Sequence, residues 1–451
     1  MIFGQIRVLI SKMSTLRVSL VPDAVQGMKQ LDREKFQRTI AVPVLHLCSD
    51  KVAKALSVCK PYILKLENFK PVQNLCDDDK FDRRIYLNPL KVECWTDIPE
   101  EVRQSFSSCD VSEDNFISRQ IQLKYENYSY EDIFKAVLPE GEETVSGFSH
   151  IGHIIHLNLR DHLLEYKTLI GTVLVDKIKT CRTVVNKCNI IDNTYRNFKM
   201  EVIAGDEDFF VTVKESNCHF QFDFSKVYWN PRLCNEHDRV LKTLKPNDIL
   251  FDVFCGVGPF AVPAARKKCR VFANDLNPDS FKWLNHNAEH NNIKKTFFKS
   301  YNLDGKDFIC NIFKKFLIDC CKKEEVIHPH AKIYVTMNLP ALAVEFLKYF
   351  NGLLDDRELF DKFHLDIIVY VYCFAPGDDP VEIAKKMVID NIGRDVTSLI
   401  LNVFGVRNVS PTKEMMKVTL KLTKEILFGV SDQDCNEPPS KKKCVESATE
   451  N

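Results

Sequence analysis

The chain has 451 residues, 45% of them apolar and 27% charged, the mix of an ordinary globular protein with room for two or three folding units. Lys plus Arg equals Asp plus Glu at 62 each, so there is no global basic field, and a nucleic-acid partner has to be held by a local patch. No apolar run is long enough to span a bilayer, and the 17 scattered cysteines, without a C-x-x-C pair, read as free thiols of a reducing compartment rather than as a metal site.

The first acidic residue is Asp23, and the segment before it carries Arg7, Lys12 and Arg17 among Ser, Leu and Val. Two readings stand for residues 1–27: a mitochondrial targeting segment, or an ordinary N-terminal strand or loose end. Met13 as a second start would remove part of it, which fits a division between the mitochondrial matrix and the nucleus and cytoplasm. Residues 28–140 mix strand-like runs (TIAVPVLHLC, DRRIYLNPL) with a helical stretch (DKVAKALSVCKPYILKL) and read as a separate N-terminal domain that ends near LPEGEETVSG. Residues 148–235 read as a compact α+β module, a run of short strands with one early helix.

From about residue 236 to 430 the pattern changes. DILFDVF, VFANDL, IYVTMNL and DIIVYVYCF are short apolar runs, and DSFKWLNHNAEHNNI, ALAVEFLKYF and PVEIAKKMVIDNI are helical stretches between or after them. Near-continuously apolar strands alternating with helices predict a buried parallel sheet. The finish, LILNVFGVRNVSPTKEMMKVTLKLTKEIL, has no helix between its strand-like runs and predicts an edge hairpin. The expected class is α/β: a Rossmann-like, doubly wound sheet closed by a C-terminal hairpin, the usual plan of class I S-adenosylmethionine (AdoMet) methyltransferases. From Ser431 the chain has almost no apolar content and reads as a disordered tail; its Lys441–Lys443 run is a weak nuclear address beside a solvated-tail reading.

FDVFCGVGPF places Asp252 in the first strand of the sheet and Gly256 and Gly258 in the turn that opens the next helix. Such a turn suits AdoMet or a dinucleotide. Asp252, placed to meet a cationic amino group, and Asp275, placed to accept ribose hydroxyls, favour AdoMet. For Asp252 the alternative is a buried, hydrogen-bonded strand carboxylate; for Asp275 it is a helix cap, although Asn277 is better placed for that. Asp304 and Gly305 follow the third strand, as an adenine contact or a plain D-G turn. Asn338, in NLPA, either reads a planar base edge over the crevice or caps the next helix.

The motifs FSHIGHIIHLNLRDHLLEYKTLIGTVLVDK (148–177), RTVVNK (182–187), YRNFKMEVIAG (195–205) and FDFSKVYWNPRLCNEHDRV (222–240), joined to the cofactor loops, resemble the eukaryotic and archaeal tRNA guanine-37 N1-methyltransferases over residues 148–428. The NLPA tetrapeptide resembles the eukaryotic members. The resemblance implies methyl transfer from AdoMet to N1 of guanosine-37 in tRNA, in support of reading-frame maintenance; a monomer that contacts the anticodon stem-loop and outer body of tRNA is expected. It implies that Glu236 is the general base and that Arg196 orients the guanine and offsets charge on O6. Tyr228, Arg232 and Asn338 would shape the base pocket. His237, Asp275, Leu276, Asp304, Gly305 and Asn338 would contact AdoMet, with His237 standing where some family members have Arg. Proton removal from N1 and charge growth on O6 call for a carboxylate and a guanidinium. Without the resemblance, Glu236 reads as a helix-start carboxylate and Arg196 as a surface ion pair.

Lys177, Lys179 and Arg182 lie in a local basic excess (176–199) that either follows the phosphates of an anticodon stem-loop or is a solvated face. Three other functions are weighed. An aminocarboxypropyl transferase of the wybutosine pathway shares the crevice, but Glu236 and NLPA favour methyl transfer. A scaffold with a decayed methyltransferase domain sits poorly with an intact set of acidic and glycine residues. A dehydrogenase lacks the third glycine and a hydride partner.

Overall fold

The computed structural model describes residues 19–430 apart from 76–80, 108, 140, 142–143, 146 and 193–196. Residues 1–18 of the 1–27 segment read as a possible targeting segment, the tail from Ser431, and Arg196 lie outside the described residues. The chain forms two compact units, one of Met1–Phe148, His153–Lys187 and Glu201–Glu207, the other of Ser149–Gly152, Cys188–Met200 and Asp208–Asn451.

In the first unit β1 (Arg38–Leu47), β2 (Val72–Asn74), β3 (Arg83–Tyr86) and β4 (Phe116–Leu123) form an antiparallel sheet in the order β2-β3-β1-β4. The aliphatic run of β1 buries Val42, Val44, Leu45 and Leu47. Between β1 and β2, α1 spans only Val52–Cys59. The expected helix ran on to Leu66, but Pro61 has no N–H to continue the ladder and disfavours a helical residue before it. Further on, α2 (Glu100–Ser107) and α3 (Tyr130–Val137) follow, and the Ser129 hydroxyl caps α3 by accepting from the Asp132 N–H at 3.1 Å. Next along the chain come β5 (Ser149–Ile151), which falls in the second unit, β6 (Ile154–Leu157) and α4 (Lys167–Lys177) in the first, and β7 (Thr183–Asp192) and β8 (Asn197–Gly205), each divided between the two. The early helix of this region is therefore KTLIGTVLVDK, which buries Leu169, Ile170, Val173 and Leu174. β6 and β7 pair in parallel from Ile154↔Thr183 to Leu157↔Asn186.

The second unit carries the antiparallel hairpin of β9 (Phe210–Glu215) and β10 (Cys218–Asp223). A turn capped by Asn230 leads into α5 (Cys234–Thr243), and β11 (Ile249–Asp252) begins the large sheet. Its other elements are α6 (Ala261–Arg266), β12 (Arg270–Asn274), α7 (Pro278–His290), β13 (Phe298–Tyr301), α8 (Lys314–Cys321), β14 (Ile333–Met337), β15 (Ile367–Pro376), α9 (Pro380–Ile392), β16 (Ile400–Ser410) and β17 (Lys413–Leu422). Seven strands run in the order β13-β12-β11-β14-β15-β17-β16. The first five are parallel, and β17 and β16 close the edge as an antiparallel hairpin. ALAVEFLKYF forms a 3-10 helix over Ala343–Tyr349 instead of an α-helix.

Strand order reverses between β11 and β14, the switch point outside which ligands sit in open α/β sheets. Beneath it, Phe251 stacks on Phe272 with centroids 4.5 Å apart and meets Phe313 and Phe316 edge-on, which fixes β11 against the helix behind it. The free edge of β10 is covered by α7. Asn287 Oδ1 accepts from the Gln221 N–H at 2.8 Å, and one helical turn on, Asn291 exchanges bonds with the N–H and C=O of His219 at 2.9 and 2.7 Å. The asparagines of NAEHNNI thus stand in for a neighbouring strand.

Candidate active site

β11 ends at Asp252, which is fully buried. Its Oδ1 accepts from the Thr336 hydroxyl of β14 at 2.9 Å, and its Oδ2 has no hydrogen-bond partner among the described residues. Burial pushes this carboxyl up to about 7, against the lowering effect of the Thr336 bond. Two residues beyond Thr336, Asn338 likewise has a buried Oδ1 without a partner among the described residues. Asn338 is not a helix cap, since the following turn begins at Ala343 behind Leu342. Buried acceptors left unpaired ask for a ligand that donates.

The glycine turn is built by both acidic and amide side chains. Gly256 has φ +53°, and a Cβ there would meet nothing within 4 Å, so its backbone faces open space. Gly258 has φ +98°, and a Cβ there would come within 2.8 Å of Leu284 and Val262. Its need for glycine is therefore conformational and internal. Asp275 accepts from the Gly256 N–H at 2.8 Å and the Asn277 N–H at 2.9 Å. Burial, the largest effect, raises its carboxyl above the usual range against those bonds. The helix cap is Asn277, which accepts from the Asp279 N–H at 3.0 Å. Leu276 is exposed beside it. Asp304 caps the next helical turn by accepting from the Lys306 N–H at 2.8 Å. A Cβ on Gly305 would strike the rings of Phe254 and Phe346 at 2.8 and 2.9 Å, so close aromatic packing accounts for this glycine. Asn274 carries no signal beyond a polar residue in an apolar strand. Fully buried, it donates to the Val253 and Leu303 carbonyls at 3.1 and 3.0 Å and accepts from the Leu303 N–H at 3.0 Å, tying two loops of the crevice together.

Glu236, in the first turn of α5, is 2% exposed. Its Oε1 accepts from the Tyr372 hydroxyl at 2.9 Å and lies 2.7 Å from the Lys417 ammonium, and its Oε2 pairs with Arg239. Tyr372 is held well above its ordinary range by burial, and the charges of Glu236 and Asp252 add to this, so both carboxylates act on one phenol. His237, also buried, places Nδ1 2.5 Å from Glu215 Oε1 and packs its ring 4.7 Å from that of Phe260, which follows the glycine turn. The start of α5 and the glycine turn therefore share a wall. Tyr228 is 54% exposed, its hydroxyl accepting from Asn230 at 3.2 Å, and Arg232 is exposed on the capped turn. Sequence reasoning missed Lys417, Tyr372, Arg239 and Thr336; the one available signal was a lysine inside the apolar run MMKVTL.

In the first unit, Lys177 donates to the Tyr125 carbonyl at 2.6 Å and sits 4.1 Å over its ring, and burial lowers its ammonium below the usual range. Its neighbour Asp176 is taken up by Arg33 at 2.6 Å and by the Tyr125 hydroxyl at 3.0 Å. Lys177 is thus half-buried and packed on Tyr125, while Lys179 and Arg182 are exposed. Among the described residues no group of His, Cys, Asp or Glu is arranged to hold a metal ion.

A parallel sheet with an antiparallel terminal hairpin, and unpaired acceptors at its switch point, define a class I methyltransferase fold. Residues 130–208 match the TYW2 N-terminal domain family and residues 211–357 the TRM5/TYW2 methyltransferase domain family. The chain is 44% identical over 430 residues to a tRNA (guanine(37)-N(1))-methyltransferase of Drosophila pseudoobscura pseudoobscura, covering 95% of each chain. It is 48% identical over 412 residues to one of Anopheles gambiae, covering 90% of this chain and 71% of that one. Its fold is similar to that of Trm5b from Pyrococcus abyssi, with a TM-score of 0.56, 21% identity and coverage of 84% of this chain and 98% of the other. The chain belongs to the tRNA (guanine(37)-N(1))-methyltransferase family.

Proposed function

We propose that this chain moves the methyl group of AdoMet to N1 of guanosine-37 in tRNA, with Glu236 taking the N1 proton. The observation that carries the reading is a pair of buried carboxylates: Asp252, at the switch point, lacks a counter-charge, and Glu236 has Tyr372 and Lys417 on one oxygen and only Arg239, among the described residues, on the other. Asp252 Oδ2, Asn338 Oδ1 and the open backbone at Gly256 fit AdoMet, which brings an ammonium and amine N–H donors. Asp275 and Asp304 keep lone pairs beyond those used in their turns, in line with ribose and adenine contacts. When bound, AdoMet supplies an electrophilic methyl carbon, so the protein's part is alignment and proton removal.

Guanine N1 is nucleophilic only as its proton leaves, and a carboxylate in reach of that proton is the natural acceptor. Tyr228 and Arg232, exposed at the entry to α5, are suited to hold the splayed base, and Arg196 is assigned to the charge on O6 from its motif alone. The N1-methyl names of relatives that match over 90% or more of this chain favour methyl transfer over aminocarboxypropyl transfer. The acid-poor leader supports a mitochondrial pool, which fractionation of cells would reveal. The decisive experiment incubates unmodified tRNA transcript with labelled AdoMet and maps the product. Glu236→Gln should bind both substrates normally and lower the single-turnover rate by about 10²-fold or more, whereas an unchanged chemical step removes Glu236 from the base role.

A further inference from the structure

The Glu236 carboxylate is supplied with more donors than a proton acceptor needs. From its own helix Arg239 pairs with Oε2 while its guanidinium lies 4.0 Å over the ring of Phe404 on β16. From β15 the Tyr372 hydroxyl, and from β17 the Lys417 ammonium, both reach Oε1. Tyr372 and Lys417 are register partners on adjacent strands, so they form one rigid platform. Two residues earlier on β15, Tyr370 carries the Lys417 ammonium 5.2 Å over its ring and places its hydroxyl 3.2 Å from Thr243 Oγ1 of α5. Of the other charged groups here, His237 pairs with Glu215, Asp252 takes the Thr336 hydroxyl on Oδ1 and acts on Tyr372 through its charge, and Lys332 and Asp248 act on Tyr370.

A carboxylate oxygen offers about two lone-pair sites. Oε1 is therefore filled, and Oε2, shared among the described residues only with the half-exposed Arg239, retains one. Resting on the base reading of Glu236, we propose that Lys417 and Tyr372 are positioning residues for methyl transfer: by saturating Oε1 they fix the carboxylate and present Oε2 as the atom that accepts the N1 proton. The N1–H bond breaks as Oε2–H forms, the N1 electron pair bonds the methyl carbon, and the electrons of the methyl–sulfur bond stay on sulfur. Lys417 is the larger contributor, because it brings a full positive charge to Oε1 where Tyr372 brings a neutral hydroxyl.

The test is the pH dependence of the single-turnover rate on full-length enzyme with tRNA transcript and saturating AdoMet. Removal of a nearby cation favours the protonated carboxyl, so Lys417→Met should move the acidic limb up by about one pH unit or more, with the rate recovering toward wild type at high pH. Lys417→Arg should restore the limb, and Tyr372→Phe should move it in the same direction by less. AdoMet binding by calorimetry should be the same in all three variants. A Lys417→Met profile that is merely lowered by one factor at every pH, or that superimposes on wild type, overturns the proposal while leaving Glu236 as the base. Should Lys417→Met fail to fold, Tyr372→Phe, which removes only one oxygen, is read alone: an unmoved limb overturns the proposal equally. Full activity of Glu236→Gln, measured with Lys417 intact, would instead remove the base reading itself.

Discussion

At the residue scale, two buried carboxylates whose charges act on one phenol are treated in opposite ways. Glu236 has two cations and a hydroxyl, whereas Asp252 has one hydroxyl, and burial lifts it to about 7. Because the folded-state value is raised, Asp252 stabilises the ligand-free fold below its unfolded value and loses that contribution as pH rises through about 7. Asp252→Asn should therefore raise the melting temperature of the ligand-free protein at pH 8 and change it little at acid pH. A cationic ligand reverses the balance by favouring the ionised form. AdoMet should thus bind more weakly as pH falls below about 7, with proton release near that pH. Calorimetry in buffers of different ionisation enthalpy measures that release, and an Asp252→Asn variant that binds AdoMet as tightly as wild type would take Asp252 out of the site.

At the element scale, the glycine turn and the strand ends around it depend on a few side chains. Gly258→Ala forces a Cβ onto φ +98° and against Leu284, and should cost about 1–3 kcal/mol in denaturant unfolding. Gly256→Ala, at φ +53° in open space, should cost about 1 kcal/mol and act mainly on AdoMet affinity. Equal stability losses with equal affinity losses would contradict this division of roles. Asn274 clamps two loops through three hydrogen bonds. Asn274→Ala leaves buried carbonyls unsatisfied and should cost about 2–3 kcal/mol, with faster amide exchange at Leu303 as its local signature.

At the scale of the whole molecule, zero net charge means that tRNA must be held by local basic groups. Lys179 and Arg182 are exposed, but Lys177 is locked on Tyr125. Changing Lys179 and Arg182 together to Glu should weaken tRNA binding and flatten its salt dependence. Lys177→Glu should lower the melting temperature instead, because it buries a carboxylate against a carbonyl. If the double variant binds tRNA with the wild-type salt slope, this stretch is only a solvated face.

Much of the architecture was legible in the order of residues. Strand-and-helix alternation after residue 236, the terminal hairpin and the acidic and glycine positions of the crevice are local patterns, set by side-chain period and by the few residues that tolerate a tight turn. The linked motifs around Glu236 pointed to the family before any coordinates. Distance along the chain hid the rest. Lys417 lies 181 positions after Glu236 and Tyr372 136 positions after it, and neither spacing carries a signal. Only the pairing of β15 with β17, and the seat of α5 across them, brings the three together. Likewise, the chain shows a lysine at 177 in a basic stretch, but folding decides that its ammonium is spent on Tyr125. Local pattern determined which elements form and what chemistry they carry; tertiary packing determined which charges are buried, paired or left waiting, because burial and counter-charge are properties of neighbours that sequence does not make adjacent.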